Sequence, residues 1–254
     1  MGYSVYTINF LNAIGVHEIP QFRGAVISTV GRDNNLLFHN HKGDGFRYSY
    51  PLIQYKRLRG KAAIVCIGDG VDAVRALLCK EQAVIVLSDR HLLNLAVGKV
   101  VIQNCCFAVC PECIYEYGLR RWLPFNSENY QRYCSIQNLS DRIEMLERIV
   151  IGNVLSMAGG LNMFVDKRIV AKITSIREYP RTIQFKGVKM VAFDVNFLTN
   201  IELPENVGLG KGCSIGFGVV EKLRNKKIYK IWQQNISTEL PCMAFRNSSS
   251  THQN

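Results

Sequence analysis

The sequence has no apolar run long enough to cross a membrane. Its best candidate, AVIVLSDRHLLNLAVGKVVI, is interrupted by polar residues at 88–91, whereas a membrane helix needs about 20 predominantly apolar residues. The N-terminal stretch MGYSVYTINFL lacks the basic segment and long apolar run of a secretory signal. It is also a poor match to a myristoylation motif. We therefore expect a soluble, cytoplasmic protein with no membrane contact.

Acidic residues are in short supply. The 254 residues include 20 Asp and Glu against 31 Lys and Arg, which gives a formal net charge of +11. Such a balance favours a polyanionic partner, either nucleic acid or an anionic membrane surface, although many basic proteins bind neither. The apolar fraction of 48% is ordinary for a globular protein with a core. The length suits one large domain or two small ones.

The cysteines do not form a complete metal motif. They number nine, and Cys66 and Cys79 lie in apolar runs, which predicts reduced, mostly buried thiols. The stretch CPEC at 110–113, with Cys105 and Cys106 just before it, is one half of a zinc ribbon without the other half. Four ligands within nine residues would close poorly around a tetrahedral ion. No metal and no cofactor is predicted.

Hydrophobic periodicity gives the first half a recognisable order of elements. A helix is predicted after Pro20, a tight turn at Arg59–Gly60, and a second helix with Asp69 as its cap. Val71, Val74, Leu77 and Leu78 are the predicted inward residues of the second helix. The full predicted order is a strand at 3–11, a helix at 21–31, strands at 36–41, 50–58 and 61–68, a helix at 69–79 and a strand at 83–88. This order is the ferredoxin-like pattern.

The second half repeats the theme of a helix followed by strands. Residues 92–133 show no clear period and predict an irregular connection rich in aromatic residues. A long helix is predicted from Asn138 to Leu161, capped by Ser140. Its apolar stripe consists of Ile143, Leu146, Ile149 and Val150. Further strands are predicted at 168–176, 181–187, 189–204 and 217–223.

A glycine-rich stretch lies near the end of the chain. Five glycines fall within eleven residues around Lys211: Gly208, Gly210, Gly212, Gly216 and Gly218. A dinucleotide-binding loop would need a following helix, but 217–223 reads as a strand, and no Gly-Lys-Ser/Thr run completes a P-loop. The stretch therefore predicts a loop whose bare backbone approaches either a phosphate or another part of the protein.

Four stretches, taken in order, resemble one protein family. They are FRGAVIS (22–28), LLFHNH (36–41), YPLIQYK (50–56) and the Gly-x-Gly-x-x-x-Gly-x-Gly run at 210–218. Together they resemble the b-type branch of the CRISPR-associated repeat-processing endoribonucleases, the Cas-six family. The resemblance extends from about Pro20 to Leu223, and the region around CPEC has no counterpart in it.

The resemblance implies an α+β fold of two tandem ferredoxin-like (RRM-like) domains with antiparallel sheets and a basic cleft between them. We predict domains at 1–95 and 135–235, a bridging segment at 96–134 and a polar tail at 236–254. The implied activity is cleavage of CRISPR repeat RNA without a metal. Assembly into a CRISPR effector complex and pairing as a homodimer are both left open.

The resemblance also implies site residues. His39 and His41 occupy the catalytic place. Lys56 and Tyr48 are the candidates to assist them, with Tyr50, Tyr55 and Lys42 as neighbours that could take their place. The glycine-rich loop with Lys211 would contact RNA.

The chemistry of RNA cleavage suits the histidine pair. The substrate supplies its own 2′-hydroxyl nucleophile, so the protein needs a base, an acid for the 5′-oxygen and a cation near the phosphorane. Imidazole has an ordinary pKa that suits both proton transfers near neutrality. In an extended strand His39 and His41 point to one face, and Lys56 could stabilise the developing charge. The products would be a 2′,3′-cyclic phosphate and a 5′-hydroxyl.

Other interpretations remain open for these residues. Two histidines on one face also suit a metal site, as in a metal-dependent phosphodiesterase, but such a site needs further ligands and only Asp44 is near. The histidines could equally lie at a solvated strand end. Arg57 and Arg59 either contact the RNA backbone or form a solvated face. A non-catalytic CRISPR RNA-binding subunit of the same fold is the alternative function.

Overall fold

Two four-stranded antiparallel sheets form the frame of the protein. The computed structural model describes residues 2–30, 41–42, 45–46, 50–78, 84–87, 90–179 and 182–228. The elements of the first half are β1 (Gly2–Ala13), a 3₁₀ turn (Val16–Glu18), α1 (Ile19–Val30), β2 (His41–Lys42), β3 (Gly45–Phe46), β4 (Ile53–Leu58), β5 (Lys61–Ile67), α2 (Gly70–Leu78), β6 (Val84–Leu87), β7 (Arg90–Asn94) and β8 (Val97–Cys106).

The second half begins after a short connection. Its elements are β9 (Cys113–Trp122), α3 (Ser127–Ser135), α4 (Leu139–Gly160), β10 (Ala171–Glu178), β11 (Ile183–Phe185), β12 (Val188–Met190), β13 (Phe193–Thr199), a 3₁₀ turn (Cys213–Ile215) and β14 (Val219–Ile228). Among the described helices, none is long and apolar enough to span a membrane.

The two sheets have the same strand order. The first runs β4–β5–β1–β8 and the second runs β10–β13–β9–β14. In the first sheet β1 lies between β5 and β8, and in the second sheet β9 lies between β13 and β14. Counting only the four strands of each sheet in chain order, the first strand lies between the third and the fourth, which is the ferredoxin-like arrangement. The predicted fold of two such domains is confirmed. The halves differ after the third strand, where the first half has α2 and the second half has the glycine-rich loop with its 3₁₀ turn.

The fourth strand of the first sheet is not where the sequence predicted it. The predicted strand at 83–88 corresponds to β6, which pairs with β7 in a separate two-stranded ribbon. The sheet is completed by β8, which pairs with β1 from Val97 to Cys106. The prediction of an irregular segment at 96–134 was therefore wrong over most of its length, since it contains β8, β9 and α3. The domain boundaries themselves stay a prediction.

Exposure explains why β8 was missed. It is an edge strand, and the helices that cover the rest of this face do not cover it, so Val100 is 41% and Ile102 is 55% exposed. Apolar residues on its open face remove the alternation that identifies a half-buried strand. The strand consequently reads as a patternless apolar stretch.

Details of two helices also differ from the prediction. Leu78 of α2 is 41% exposed, whereas Ala73, Val74 and Leu77 are buried. The N-cap of α4 is Asn138, whose side chain accepts a hydrogen bond from the backbone N–H of Ser140, so Ser140 is not the cap. The buried side of α4 includes the predicted Leu146 and Val150, while Ile143 and Ile149 are only partly buried.

Cys110 and Cys113 form a disulfide across a tight turn. Their Cα atoms lie 5.2 Å apart, and the Cys113 N–H donates to the carbonyl oxygen of Cys110. The prediction of reduced thiols was therefore wrong for this pair, because the turn brings the two side chains together. Cys66 is free and buried as predicted, and Cys79 lies outside the described residues. Cys213 is also free and buried, whereas Cys106 and Cys134 are exposed.

Candidate functional site

A cleft lies between the two sheets, and β1 forms part of its wall. Alternate residues of a strand share a face, and on the face turned away from the helices Tyr3 and Val5 are buried against the second sheet. Further along the same face, Thr7 and Asn9 are polar and line an open cleft of about 1000 Å³. The sheets thus meet at the apolar end of β1 and separate at its polar end.

Both halves contribute to the walls of this cleft. Gln103 of β8 and Glu205 of the second half exchange two hydrogen bonds across it, through the side chain of Gln103 and the backbone of Glu205. The remaining walls come from β8, from the β4–β5 turn, and from β9 and β14 of the second sheet. A ligand in the cleft would therefore contact both domains at once.

The charge of the cleft is predominantly positive. Two ion pairs lie on its wall, Arg120 with Glu221 at 2.8 Å and Lys222 with Glu202 at 3.3 Å. Its six basic residues are Arg57, Arg59, Lys99, Arg120, Arg121 and Lys222, and its three acidic ones are Glu202, Glu205 and Glu221. Within the described ranges, four cations have no carboxylate within ion-pair distance: Arg57, Arg59, Lys99 and Arg121. A surface of this kind attracts polyanions.

The β4–β5 turn places the two predicted arginines at the cleft. Arg59 and Gly60 form a two-residue hairpin turn in which both have left-handed φ angles, 49° and 85°. The Arg57 side chain donates to the carbonyl oxygen of Ile14 at 2.7 Å, which holds it against the end of β1. Both arginines remain exposed. The structure thus brings Arg57 and Arg59 together on the same surface.

Two further cations of this cleft, Lys99 and Arg121, were not predicted from the sequence. Lys99 lies on the cleft side of β8, in line with Val101 and Gln103 at every second residue. Arg121 lies at the end of β9 with its guanidinium 4.6 Å from the centre of the Phe217 ring, and burial lowers the pKa of Arg121 without discharging it. No local pattern marks Lys99, because apolar residues on both faces of β8 hide its alternation.

The glycines of the loop at 208–218 are required by the protein's own packing. A Cβ on Gly218 would lie 1.9 Å from the Leu209 carbonyl oxygen, and one on Gly216 would lie 2.8 Å from Ile19 Cδ1. Both glycines have left-handed φ angles, 58° and 85°. Gly208 and Gly218 are buried against protein, so the prediction that these two contact RNA directly was wrong. Gly216 is also buried but lines the cleft, so its contact with RNA stays a prediction.

Lys56 also departs from its predicted role. Its side chain is 0% exposed, and its Nζ donates to the carbonyl oxygen of Cys213 at 3.1 Å. Burial lowers the pKa of Lys56 to about 7. An ammonium group enclosed in this way does not reach a phosphate in the cleft, so the assignment of Lys56 as the phosphate-stabilising cation was wrong.

The exposed part of the loop is short. Lys211 is exposed, with its backbone N–H donating to the Leu123 carbonyl oxygen and its Nζ 5.8 Å from the centre of the Phe185 ring. Gly210 and Gly212, on either side of it, are partly buried. RNA contact by these three residues stays a prediction.

The predicted catalytic residues fall largely outside the described part of the chain. His39 and Tyr48 lie outside it, and His41 is described only as part of β2, where its backbone pairs with Phe46. Of the neighbouring tyrosines, Tyr50 and Tyr55 are both buried, so neither presents a hydroxyl to the surface. Among the described residues, no group of three His, Cys, Asp or Glu side chains could hold a metal ion.

Comparison with known proteins covers most of the chain. Residues 1–101 match the family described as Cas6b N-terminal domain, and residues 109–223 match the Cas6b C-terminal domain. An uncharacterised protein of Methanocaldococcus jannaschii is 31% identical over 114 residues, which make up 45% of this chain and 76% of that protein.

Solved structures share the fold of this chain. The chain is similar to a crystal structure of Cas6b, with a TM-score of 0.76 and 25% identity over 88% of this chain and 100% of the other. A crystal structure of the CRISPR RNA processing endoribonuclease Cas6b has a TM-score of 0.66 at 23% identity and the same coverage. A Cas6 product complex, at 11% identity over 87% of this chain and 99% of the other with a TM-score of 0.55, shares the fold.

Proposed function

The chain belongs to the Cas6b family of CRISPR RNA processing endoribonucleases, and on that premise we propose that it cleaves CRISPR precursor RNA within its repeats without a metal ion. The 2′-oxygen of one nucleotide attacks the adjacent phosphorus and the bond to the 5′-oxygen breaks. The products are a 2′,3′-cyclic phosphate and a 5′-hydroxyl.

His39 and His41 carry the two proton transfers in this proposal. One imidazole takes the proton of the attacking 2′-hydroxyl, and the other gives a proton to the departing 5′-oxygen. Each such transfer contributes about 10²–10⁴-fold to the rate of a reaction. Tyr48 assists them. The attacking oxygen belongs to the substrate, so no metal-bound water is required.

The cleft carries the RNA-binding part of the proposal. Four cations free of carboxylate partners in the described residues line a groove that both domains form. Lys and Arg contacts of this kind bind the phosphate backbone without reading its sequence. We assign Arg57, Arg59, Lys99 and Arg121 to the RNA backbone. Lys211, with Gly210 and Gly212, extends this surface from the glycine-rich loop.

Cleavage of a repeat RNA in excess chelator tests the reaction. We expect full activity in EDTA, and no cleavage of an RNA with a single 2′-deoxy substitution 5′ to the cut. Loss of activity on chelation, restored by zinc or manganese, would instead indicate a metal-dependent phosphodiesterase. Cleavage of the 2′-deoxy RNA would exclude the internal nucleophile. Binding without cleavage under all conditions would establish the alternative, a non-catalytic RNA-binding subunit.

A further inference from the structure

Three polar side chains on or just before β4 are enclosed in the protein interior. Tyr50 is 6% exposed, and Gln54 and Lys56 are 0% exposed. An enclosed polar group is destabilising unless it is hydrogen-bonded, and an enclosed charge more so. A lysine at such a position therefore requires a specific partner.

All three side chains find partners in the glycine-rich loop, more than 150 residues along the chain. The Tyr50 hydroxyl donates to the Gly208 carbonyl oxygen at 2.8 Å, and the Gly208 N–H donates to Gln54 Oε1 at 2.7 Å. The Lys56 Nζ donates to the carbonyl oxygen of Cys213 at 3.1 Å. The first domain thus satisfies backbone groups of the second domain at two separate points of the loop.

Two glycines are required for these contacts. A Cβ on Gly208 would lie 2.6 Å from the Lys56 Nζ and 2.8 Å from the Cβ of Cys213, so a side chain there would displace the ammonium group. A Cβ on Gly160, the last residue of α4, would lie 2.5 Å from the Cβ of Tyr50. The loop and the end of α4 are therefore shaped around the β4 side chains.

The positions of these hydrogen bonds show which part of the glycine-rich loop is fixed to the first domain. Gly208 and Cys213 lie on either side of Lys211, the exposed cation of the loop. At the other end of the contact, Tyr50 comes two residues after Tyr48 and nine after His41. The hydrogen bonds therefore join the end of the histidine-bearing segment directly to the part of the loop that displays Lys211.

We propose that Tyr50, Gln54 and Lys56 are positioning residues for RNA cleavage, acting through the glycine-rich loop and not on the substrate. This inference rests on the proposed function. It reassigns Lys56 from a group beside the phosphate to a group that fixes the loop against the first domain. A displacement of reacting groups by about 1 Å can cost about 10²-fold in rate, so a loosened loop should slow the reaction even in a folded protein.

Tyr50→Phe is the sharpest variant, because it removes one oxygen atom and leaves the ring in place. Its matched control is Tyr3→Phe, since the Tyr3 hydroxyl is also buried but has no hydrogen-bond partner among the described residues. We expect Tyr50→Phe to slow single-turnover cleavage at saturating RNA about tenfold or more, with nearly unchanged affinity for the 2′-deoxy RNA. Tyr3→Phe should cleave at the parental rate.

Lys56→Met provides the second variant, with Lys61→Met as a control that removes the same charge at an exposed position of β5. A purely structural role for Lys56 would lower the melting temperature and leave the rate of the folded protein unchanged. Amide hydrogen exchange over 207–218 gives a readout independent of RNA, and it should accelerate in Tyr50→Phe and Lys56→Met but in neither control.

The possible results separate the two proposals. A parent protein that does not cleave removes the proposed function, and the attachment of the loop is then decided by hydrogen exchange alone. A parent that cleaves, with folded Tyr50→Phe and Lys56→Met variants that cleave equally fast, overturns the positioning role. Unchanged exchange over 207–218 in both variants overturns the attachment itself.

Discussion

Arg120 and Glu221 face each other on neighbouring strands of the second sheet, with the arginine Nε 2.8 Å from a carboxylate oxygen. Arg120 also donates to the side chain of Asn196 at 2.8 Å. The pair lies on the wall of the basic cleft. It therefore places a negative charge, and a cation already engaged, on a surface that we propose holds a polyanion.

Removing that negative charge should strengthen RNA binding. In Glu221→Gln the carboxylate no longer repels phosphate, and Arg120 is released from its partner. Because both side chains are partly exposed, we expect a modest gain of about two- to fivefold in affinity at low salt, fading at high salt. Glu144→Gln is the control, since it breaks a comparable exposed pair with Arg148 on α4. Fluorescence anisotropy with 2′-deoxy repeat RNA measures both, and equal affinities would contradict the placement of RNA beside Glu221.

The cleft cations that have no carboxylate partner among the described residues should contribute to the salt dependence of binding. Each phosphate contact to a single strand adds about 0.7 to the slope of log affinity against log salt. Lys99→Ala and Arg57→Ala should each lower affinity and reduce that slope by about this amount, for repeat and unrelated RNA alike. Lys172→Ala serves as the control, because Lys172 is paired with Glu147 and does not line the cleft. An unchanged slope in Lys99→Ala would remove β8 from the binding surface.

The histidine pair should affect the rate of cleavage and not the affinity for RNA. If His39 and His41 are the base and the acid, His39→Ala and His41→Ala should each slow single-turnover cleavage by about 10²–10⁴-fold. Affinity for RNA should change little, because the Lys and Arg side chains of the cleft still contact the phosphate backbone. Parental cleavage rates in both variants would disprove the assignment, and impairment of one alone would give the other a positional role.

Lys56 should make the stability of the fold depend on pH. Burial lowers its pKa to about 7 from the ordinary 10.5, so between these values the unfolded chain binds a proton that the folded chain does not. The free energy of unfolding therefore gains from Lys56 as pH rises above 7, by up to about 1.4 kcal/mol per pH unit, and this gain is lost as pH falls back to 7.

Urea unfolding of the parent and of Lys56→Met isolates this effect. The difference in unfolding free energy, parent minus variant, should increase from pH 7 to pH 9. At higher pH other groups interfere, since burial raises the pKa of Cys213 to about 11. A difference that stays constant over this range would show that the Lys56 ammonium keeps its ordinary pKa in the folded protein.

The fold was predictable where one side of an element is buried and the other is not. The strand at β1 has this character and was predicted. The β4–β5 hairpin is buried on both faces and was predicted from its Arg59–Gly60 turn. The edge strand β8 was not, because Val100 and Ile102 are exposed on a face that neighbouring strands bury under helices. Periodicity in sequence records amphipathic burial, and an apolar edge without a cover does not show it.

The site was predictable only in part, for a different reason. The cluster at Arg57 and Arg59 was identified because its members are adjacent in sequence. Lys99 and Arg121 join them through strand pairing across two domains, which no local pattern records. Lys56 owed its predicted role to the family resemblance, and its burial could not be predicted because its partner Cys213 is 157 positions away.

The change from apolar to polar along β1 has a consequence for motion. Tyr3 and Val5 are covered only because the second sheet lies over them, so separating the halves at that end exposes apolar area to water at a cost in free energy. At the opposite end, the sheets are already separated by the cleft that Thr7 and Asn9 line, so parting them further there exposes little additional area. Because the apolar contact at Tyr3 and Val5 is shared by both halves, the two halves should unfold together in one cooperative transition. Their low-energy relative movement is a rotation about the apolar end, which widens the cleft from the side of Asn9 and Lys99.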